Sequence, residues 1–244
     1  MFQFFKREKI KLFENLCDIH NHILPNIDDG SKNIEMSDKM LDKYFELGFS
    51  SVIPTPHVYQ ELYPNTPETI KNSFDKLLNN SKNKKNIEIL QFGAEYMVDE
   101  IFNKNLKTSL PKLLIDKKYI LIEINFFGTT KMLESSSFQL QQKNIKPILA
   151  HPERYFLIDN IKSYKDLKKK GLYFQLNALS LLGHYGNDVK KKSEKMLYEG
   201  LYDFVGTDAH SPHHLDLLKS LRLSKKQLKY WEGIREFQLD KFPF

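Results

Sequence analysis

The chain has 244 residues, 41% hydrophobic and 28% charged, an ordinary balance for a folded protein with room for a large core. No apolar run approaches the roughly 18 residues of a membrane span, and no signal-peptide pattern opens the chain, so no transmembrane segment is expected. Net charge is +6, from 37 basic and 31 acidic residues. This charge suits an anionic substrate but does not show one, since the lysines are widely spread, and they form no basic stripe for nucleic acid.

In chain order, residues 1–15 read as an N-terminal extension that mixes Phe2, Phe4 and Phe5 with Lys6, Arg7, Lys9 and Lys11. Its expected place is against the body of the fold; contact with a membrane surface or a partner is the other reading. Seven short apolar runs then read as strands buried on both faces: Leu16–His20, Ser51–Thr55, Ile87–Phe92, Tyr119–Asn125, Lys146–Ala150, Leu172–Leu176 and Asp203–Gly206.

Helix-like stretches separate them. Ile34 to Leu47 carries an apolar stripe and stops at Gly48. Thr66-Pro67-Glu68 reads as an N-cap followed by a proline at the first helical position, opening a helix to about Asn79. The lysine-rich segment 79–86 is expected to be an exposed loop. Residues 131–144, 160–170, 188–199 and 224–239 read as further helices, with Gly171 and Gly200 closing two of them. Strand–helix alternation over the whole length, with no linker or repeat, predicts one domain, residues 1–244, of parallel βαβ units closed into a barrel. The single Cys17 excludes an internal disulfide and fits a cytoplasmic protein.

Residues of metal-ligand type recur at the ends of these runs. His20 and His22 follow the first, His57 the second, Glu95 the third, and Glu123 sits late in the fourth. His151 follows the fifth, and Asp208 and His210 the last; Asp29 lies in the acidic turn after His22. In a parallel barrel those ends converge on one face. Five of the eight histidines stand in these positions. A glutamate inside an apolar strand is costly unless a cation or donor meets it. Five imidazoles and four carboxylates exceed the needs of one ion and suit two or three. Nitrogen and oxygen donors without cysteine fit Mn, Fe or Zn better than Mg. Such a cluster activates water and clamps an in-line displacement, the chemistry of phosphoester hydrolysis. Arg154, three residues past His151, is a candidate for holding phosphoryl oxygens.

The motifs DIHNHILPNIDDG, TPH, GAEYM, LIEINF, LAHPERY, QLN and GTDAH resemble those of the PHP (polymerase and histidinol phosphatase) family. Within it they are most similar to the bacterial metal-dependent protein tyrosine phosphatases of capsule and exopolysaccharide synthesis. The resemblance covers roughly residues 16–215. It implies a distorted (β/α)7 TIM-like barrel of PHP type with a three-metal cluster, commonly Mn2+, with Fe or Zn as alternatives. It also implies His20, His22, Asp29, His57, Glu95, Glu123, His151, Asp208 and His210 as metal ligands and Arg154 as the phosphate-binding arginine. The implied partner is a phosphotyrosine protein, the tail of a membrane-bound bacterial tyrosine kinase. One departure stands out: better-known members carry a second arginine after the DAH motif, where this chain reads Ser211-Pro212-His213-His214-Leu215. His213 or His214 in its place, or a different pocket, are the readings left open. No ligand role matches His184, Asp28 reads as a turn former, and Asn177 is undecided.

The competing readings are a small-molecule phosphatase such as a histidinol phosphatase, an amidohydrolase, a nuclease and a metal-stabilised binding module without turnover. Glutamates stand where an amidohydrolase places its bridging lysine, and no basic stripe supports a nuclease. A complete ligand set weighs against a module without turnover.

Overall fold

The computed structural model describes residues 12–82, 87–89, 91–108, 113–125, 129–156, 158 and 160–243. Most of the N-terminal extension and part of the lysine-rich segment therefore lie outside the described residues. Every pairing between the described strands is parallel. β1 (Cys17–Asp18) pairs with β2 (Ser51–Val52); β3 (His57–Val58), β4 (Glu95–Met97), β5 (Tyr119–Glu123), β6 (Lys146–Ala150), β7 (Tyr173–Asn177) and β8 (Phe204–Gly206) follow in sequence order in a second sheet.

The gap between β2 and β3 has a local cause. Pro54 and Pro56 have no N–H to give to a ladder, yet their carbonyls still accept from Gly93 and Glu95 at 2.8 and 3.0 Å. Residues 51–58 thus behave as one interrupted strand. At the other end, the Asp208 N–H donates to the His20 carbonyl (2.7 Å) and the His22 N–H to the Ala209 carbonyl (3.1 Å). These bonds join the last strand to the first, so the strands form a distorted (β/α)7 ring.

Period-2 alternation sorts the strand side chains between two cores. Cys17, Ile19, Ile53, Tyr119, Leu121, Ile148, Ala150 and Phe204 pack together within the ring, with Phe242 beneath them. Their neighbours Val52, Ile120, Ile122, Leu149 and Val205 pack outward in the larger core shared with the helices. The helices are α1 (Ile34–Leu47), α2 (Pro67–Asn80), α3 (Glu100–Thr108), α4 (Thr130–Gln142), α5 (Ile161–Lys169), α6 (Ala178–Leu182), α7 (Asn187–Tyr198), α8 (Pro212–Leu218) and α9 (Lys225–Lys241). Thr66 caps α2 in a reciprocal box with Thr69, and Gly48 ends α1 in the left-handed region at φ 95°, both as the sequence predicts.

The third expected strand needs correction. In the run Ile87–Phe92 only Glu88 forms a bridge, to Ser51, while Leu90 lies outside the described residues. The strand proper begins at Glu95, so this carboxylate is part of the ladder instead of following it. The close approach that precedes it needs Gly93, where a Cβ would stand 3.0 Å from Ile115. Three short helices, α3, α6 and α8, were not anticipated.

A buried carboxylate fastens the closure of the ring. Asp18 is fully buried; its Oδ2 accepts from the hydroxyls of Tyr44 (2.8 Å) and Thr207 (2.6 Å), and its Oδ1 from the backbone N–H of Thr207 (3.0 Å). From below, the Gln238 amide donates to the carbonyls of Cys17 and Val205. We predict that Tyr44→Phe lowers stability by about 1–3 kcal/mol, because it removes one donor from a charge that water cannot reach. Urea unfolding of the metal-loaded protein measures this, with metal content expected to stay unchanged.

Candidate metal centre

The strand ends bring the predicted donors to one mouth. Nε2 of His20 lies 3.2 Å from Glu95 Oε2 and 3.4 Å from Asp208 Oδ1. Nε2 of His22 lies 3.5 and 3.3 Å from the same two oxygens. These donor–donor spacings are close to the edge, about 3.3 Å, of a tetrahedron built on metal–ligand bonds of roughly 2.0 Å. A second group joins His22, Asp29, His57 and His210, and a third joins His57, Glu95 and Glu123. His151 falls outside these three groups, but its Nε2 stands 3.1 Å from Glu95 Oε1 and 3.9 Å from Glu123 Oε2, at the corner of the third.

Hydrogen bonding around the rim decides which nitrogen of each ring faces inward. His20 Nδ1 meets Gln175 Oε1 at 2.8 Å; His22 Nδ1 meets Asp28 Oδ2 at 2.8 Å; His210 Nδ1 meets the Asp208 carbonyl at 2.9 Å. An acceptor at Nδ1 places the proton there and leaves the Nε2 lone pair for a cation. Correspondingly, His20 Nε2, His22 Nε2 and Glu95 Oε2 are buried atoms without a hydrogen-bond partner. Three orphaned donors aimed at a shared point fit a bound cation, since buried polar groups otherwise find partners.

Electrostatics give the same result. Burial alone would lower His20, but Glu95 and Asp208 outweigh it and raise it to about 9. Burial would raise Glu95, yet His20 and His57 hold it well below the usual carboxylate range. Asp208 is likewise held low, by His20 first among its charged neighbours. The pocket is strongly negative and draws in protons when nothing else neutralises it.

Arg154 stands at the edge of this cluster. Its Nη1 donates to Asp208 Oδ2 at 2.8 Å, and its guanidinium lies 4.3 Å from the centre of the Tyr185 ring. Asn177 donates to the same Asp208 oxygen (2.9 Å) and to the Tyr185 hydroxyl (3.0 Å), so it orients the aspartate. Asp28 does form the turn, accepting from Gly30 N–H, but it also orients His22. Gln175 and Asp28 are the orienting residues that sequence reasoning missed; Gln175 stands in the QLN motif and Asp28 in the first motif.

The stretch in place of a second arginine supplies no cation through His214. Burial, then His210 and His184, lower His214 to about 4, and its Nδ1 accepts the His210 N–H. It is a neutral ring at neutral pH. His213 is exposed, and exposed His184 packs edge-on to His214 at 4.9 Å, apart from the donor groups.

A parallel barrel with this ring of imidazoles and carboxylates at its C-terminal mouth belongs to the class of metal-dependent hydrolases. Residues 16–227 match the family described as capsular polysaccharide synthesis, CpsB/CapC, and the chain belongs to that family. It is 31% identical to Staphylococcus aureus CapC over 224 residues, 91% of this chain and 88% of that one. It is 33% identical to the tyrosine-protein phosphatase YwqE of Bacillus subtilis over 198 residues, 80% of this chain and 78% of that one. The fold matches a solved structure from work on B. subtilis YwqE and Streptococcus pneumoniae CpsB, described as unique metal-dependent tyrosine phosphatases. That match has a TM-score of 0.74 and 28% identity, covering 91% of this chain and 94% of the other.

Two outcomes are expected at this centre. Gln175→Leu, which frees the His20 tautomer, should weaken metal affinity about 10- to 100-fold, measured by competition with a chelating dye. Metal affinity should also rise with pH between 6 and 8. His20 in the metal-free site keeps its second proton up to about 9, so a cation that His20 ligates below that pH must displace it, at about tenfold in affinity per pH unit per proton. Affinity that is flat across this range would contradict the assignment of His20.

Proposed function

We propose that this chain is a metal-dependent phosphomonoesterase acting on phosphotyrosine in protein, with Mn2+ as its native ion and the cytoplasm as its compartment. Its partner in this reading is the phosphorylated tail of a membrane-bound bacterial tyrosine kinase that controls capsule or exopolysaccharide synthesis. No described helix is long and apolar enough to cross a membrane, so such a kinase would bring the tail to the barrel mouth. The observation that carries the reading is the convergence of His20, His22, Asp29, His57, Glu95, Glu123, His151, Asp208 and His210 beside Arg154.

In this assignment those nine side chains hold the cations, which when bound supply an activated water and neutralise phosphoryl charge. Arg154 uses one N–H on Asp208, and no other acceptor among the described residues holds its side chain. Its remaining donors can take phosphoryl oxygens in a planar contact. The Asp208 bond and the Tyr185 ring fix the direction of the guanidinium before substrate arrives, which limits the ordering that binding requires. A phenolate leaving group, with a pKa of about 10, departs without a dedicated general acid, consistent with the neutral His214.

The protein should hydrolyse p-nitrophenyl phosphate with Mn2+ and lose that activity to a chelator. Arg154→Ala should lower kcat/KM about 100-fold or more with metal content intact; loss of metal would instead show that the arginine supports the cluster. Comparing turnover of a phosphotyrosine peptide with that of histidinol phosphate separates the protein substrate from the small one. Faster turnover of the latter would reassign the enzyme.

A further inference from the structure

One phenol at the mouth has no role in the assignments so far. Tyr63 closes a short turn after β3, where Tyr59 and Tyr63 exchange backbone hydrogen bonds of 3.0 and 2.7 Å. The Asn65 amide pins this turn to the site, donating to the carbonyls of His57 (2.8 Å) and Ile27 (3.0 Å). The Tyr63 ring stacks on the His57 imidazole, with centroids 5.3 Å apart and planes 12° from parallel.

That stacking fixes a half-buried ring beside a metal-ligand candidate. The hydroxyl makes no hydrogen bond to any described residue, whereas Tyr59 in the same turn donates to Glu61. The ring borders the group that His57 forms with His22, Asp29 and His210. A phenol of ordinary pKa, about 10, is protonated at neutral pH and available to donate.

We propose that Tyr63 is a substrate-contacting residue whose hydroxyl donates to a phosphoryl oxygen of the bound monoester. It acts from the His57 side of the mouth, while Arg154 acts from the Asp208 side. The inference rests on the phosphomonoesterase reading and deepens it: a neutral donor on the His57 side complements Arg154 on the Asp208 side. A hydrogen bond to a charged acceptor is worth more than one between neutral groups, and its loss is correspondingly visible.

Tyr63→Phe tests this cleanly, because it keeps the stacked ring and removes a hydroxyl that no described residue uses. On the Mn2+-loaded full chain, inorganic phosphate binding by calorimetry should weaken about tenfold or more. The KM for p-nitrophenyl phosphate should rise in parallel, with metal content and melting temperature unchanged. Phosphate affinity within twofold of wild type overturns the inference while leaving the phosphatase reading in place. Loss of metal also overturns it, since the hydroxyl would then serve His57 and not the substrate. A wild type that binds phosphate but hydrolyses no monoester sinks the phosphatase reading and, with it, the substrate contact assigned to Tyr63. A wild type that binds no phosphate sinks both.

Discussion

The Glu95 carboxylate is sealed from water and surrounded by imidazoles. His57 and His151 approach it at 3.1 Å, His20 at 3.2 Å and His22 at 3.5 Å. A buried charge of this kind costs several kcal/mol unless a positive charge meets it, and neutral imidazoles carry none. Either protons or cations must supply it. Gln175 and Asp28 occupy the outer nitrogens of two of these rings, His20 and His22, and the Asp208 carbonyl does the same for His210, turning lone pairs inward. The arrangement prefers cations, and the closure of the ring at Asp18 holds β1 and β8 in the register that cation binding needs.

This requirement explains why the centre was legible in the sequence. A ligand at a strand end must follow an apolar run directly, so Ile148-Leu149-Ala150-His151 and Val205-Gly206-Thr207-Asp208 carry their geometry in their spacing. The fold was legible for a similar reason: buried parallel strands are short apolar runs, and Thr66, Gly48 and Ser224 mark helix ends by chemistry that acts within a few residues. Partners chosen across the ring leave no such trace. Gln175 bonds a ring 155 positions away, and nothing in its own neighbours announces that. The shift of the third strand has the same origin, because Glu95 enters the ladder through carbonyls of prolines that cannot themselves donate. Helices as short as α6 and α8 present too few turns for a periodic stripe.

The backbone is strained at the same places. His151 and Asp208 adopt left-handed conformations, at φ 32° and 50°, which cost a non-glycine residue roughly 1–2 kcal/mol each. Asp208 is kept there by its N–H on the His20 carbonyl and by Asn177 and Arg154 on its carboxylate. For His151 the restraints are its N–H on Gln175 and the 3-10 turn that follows.

Glu153 anchors that turn. Buried almost completely, it accepts from the Asn177 N–H (3.0 Å), the Ser180 hydroxyl (2.7 Å) and the Tyr202 hydroxyl (3.1 Å). These donors are all neutral, and no lysine or arginine among the described residues pairs with it. Burial raises its pKa, while Ser180 works against the rise. The choice of neutral donors has a consequence for the next residue. With a cation in the Glu153 pocket, the turn would hold a salt bridge beneath Arg154 and a positive charge beside the mouth on the wrong side of the backbone. Hydroxyls and an amide satisfy Glu153 locally, so the one positive charge of the turn is Arg154. Glu153 points into the core, and Arg154, about 120° further round the 3-10 turn, lies over Tyr185 and toward Asp208. The burial of Glu153 anchors the turn that carries the arginine, and Asp208 and Tyr185 then set the direction of its guanidinium.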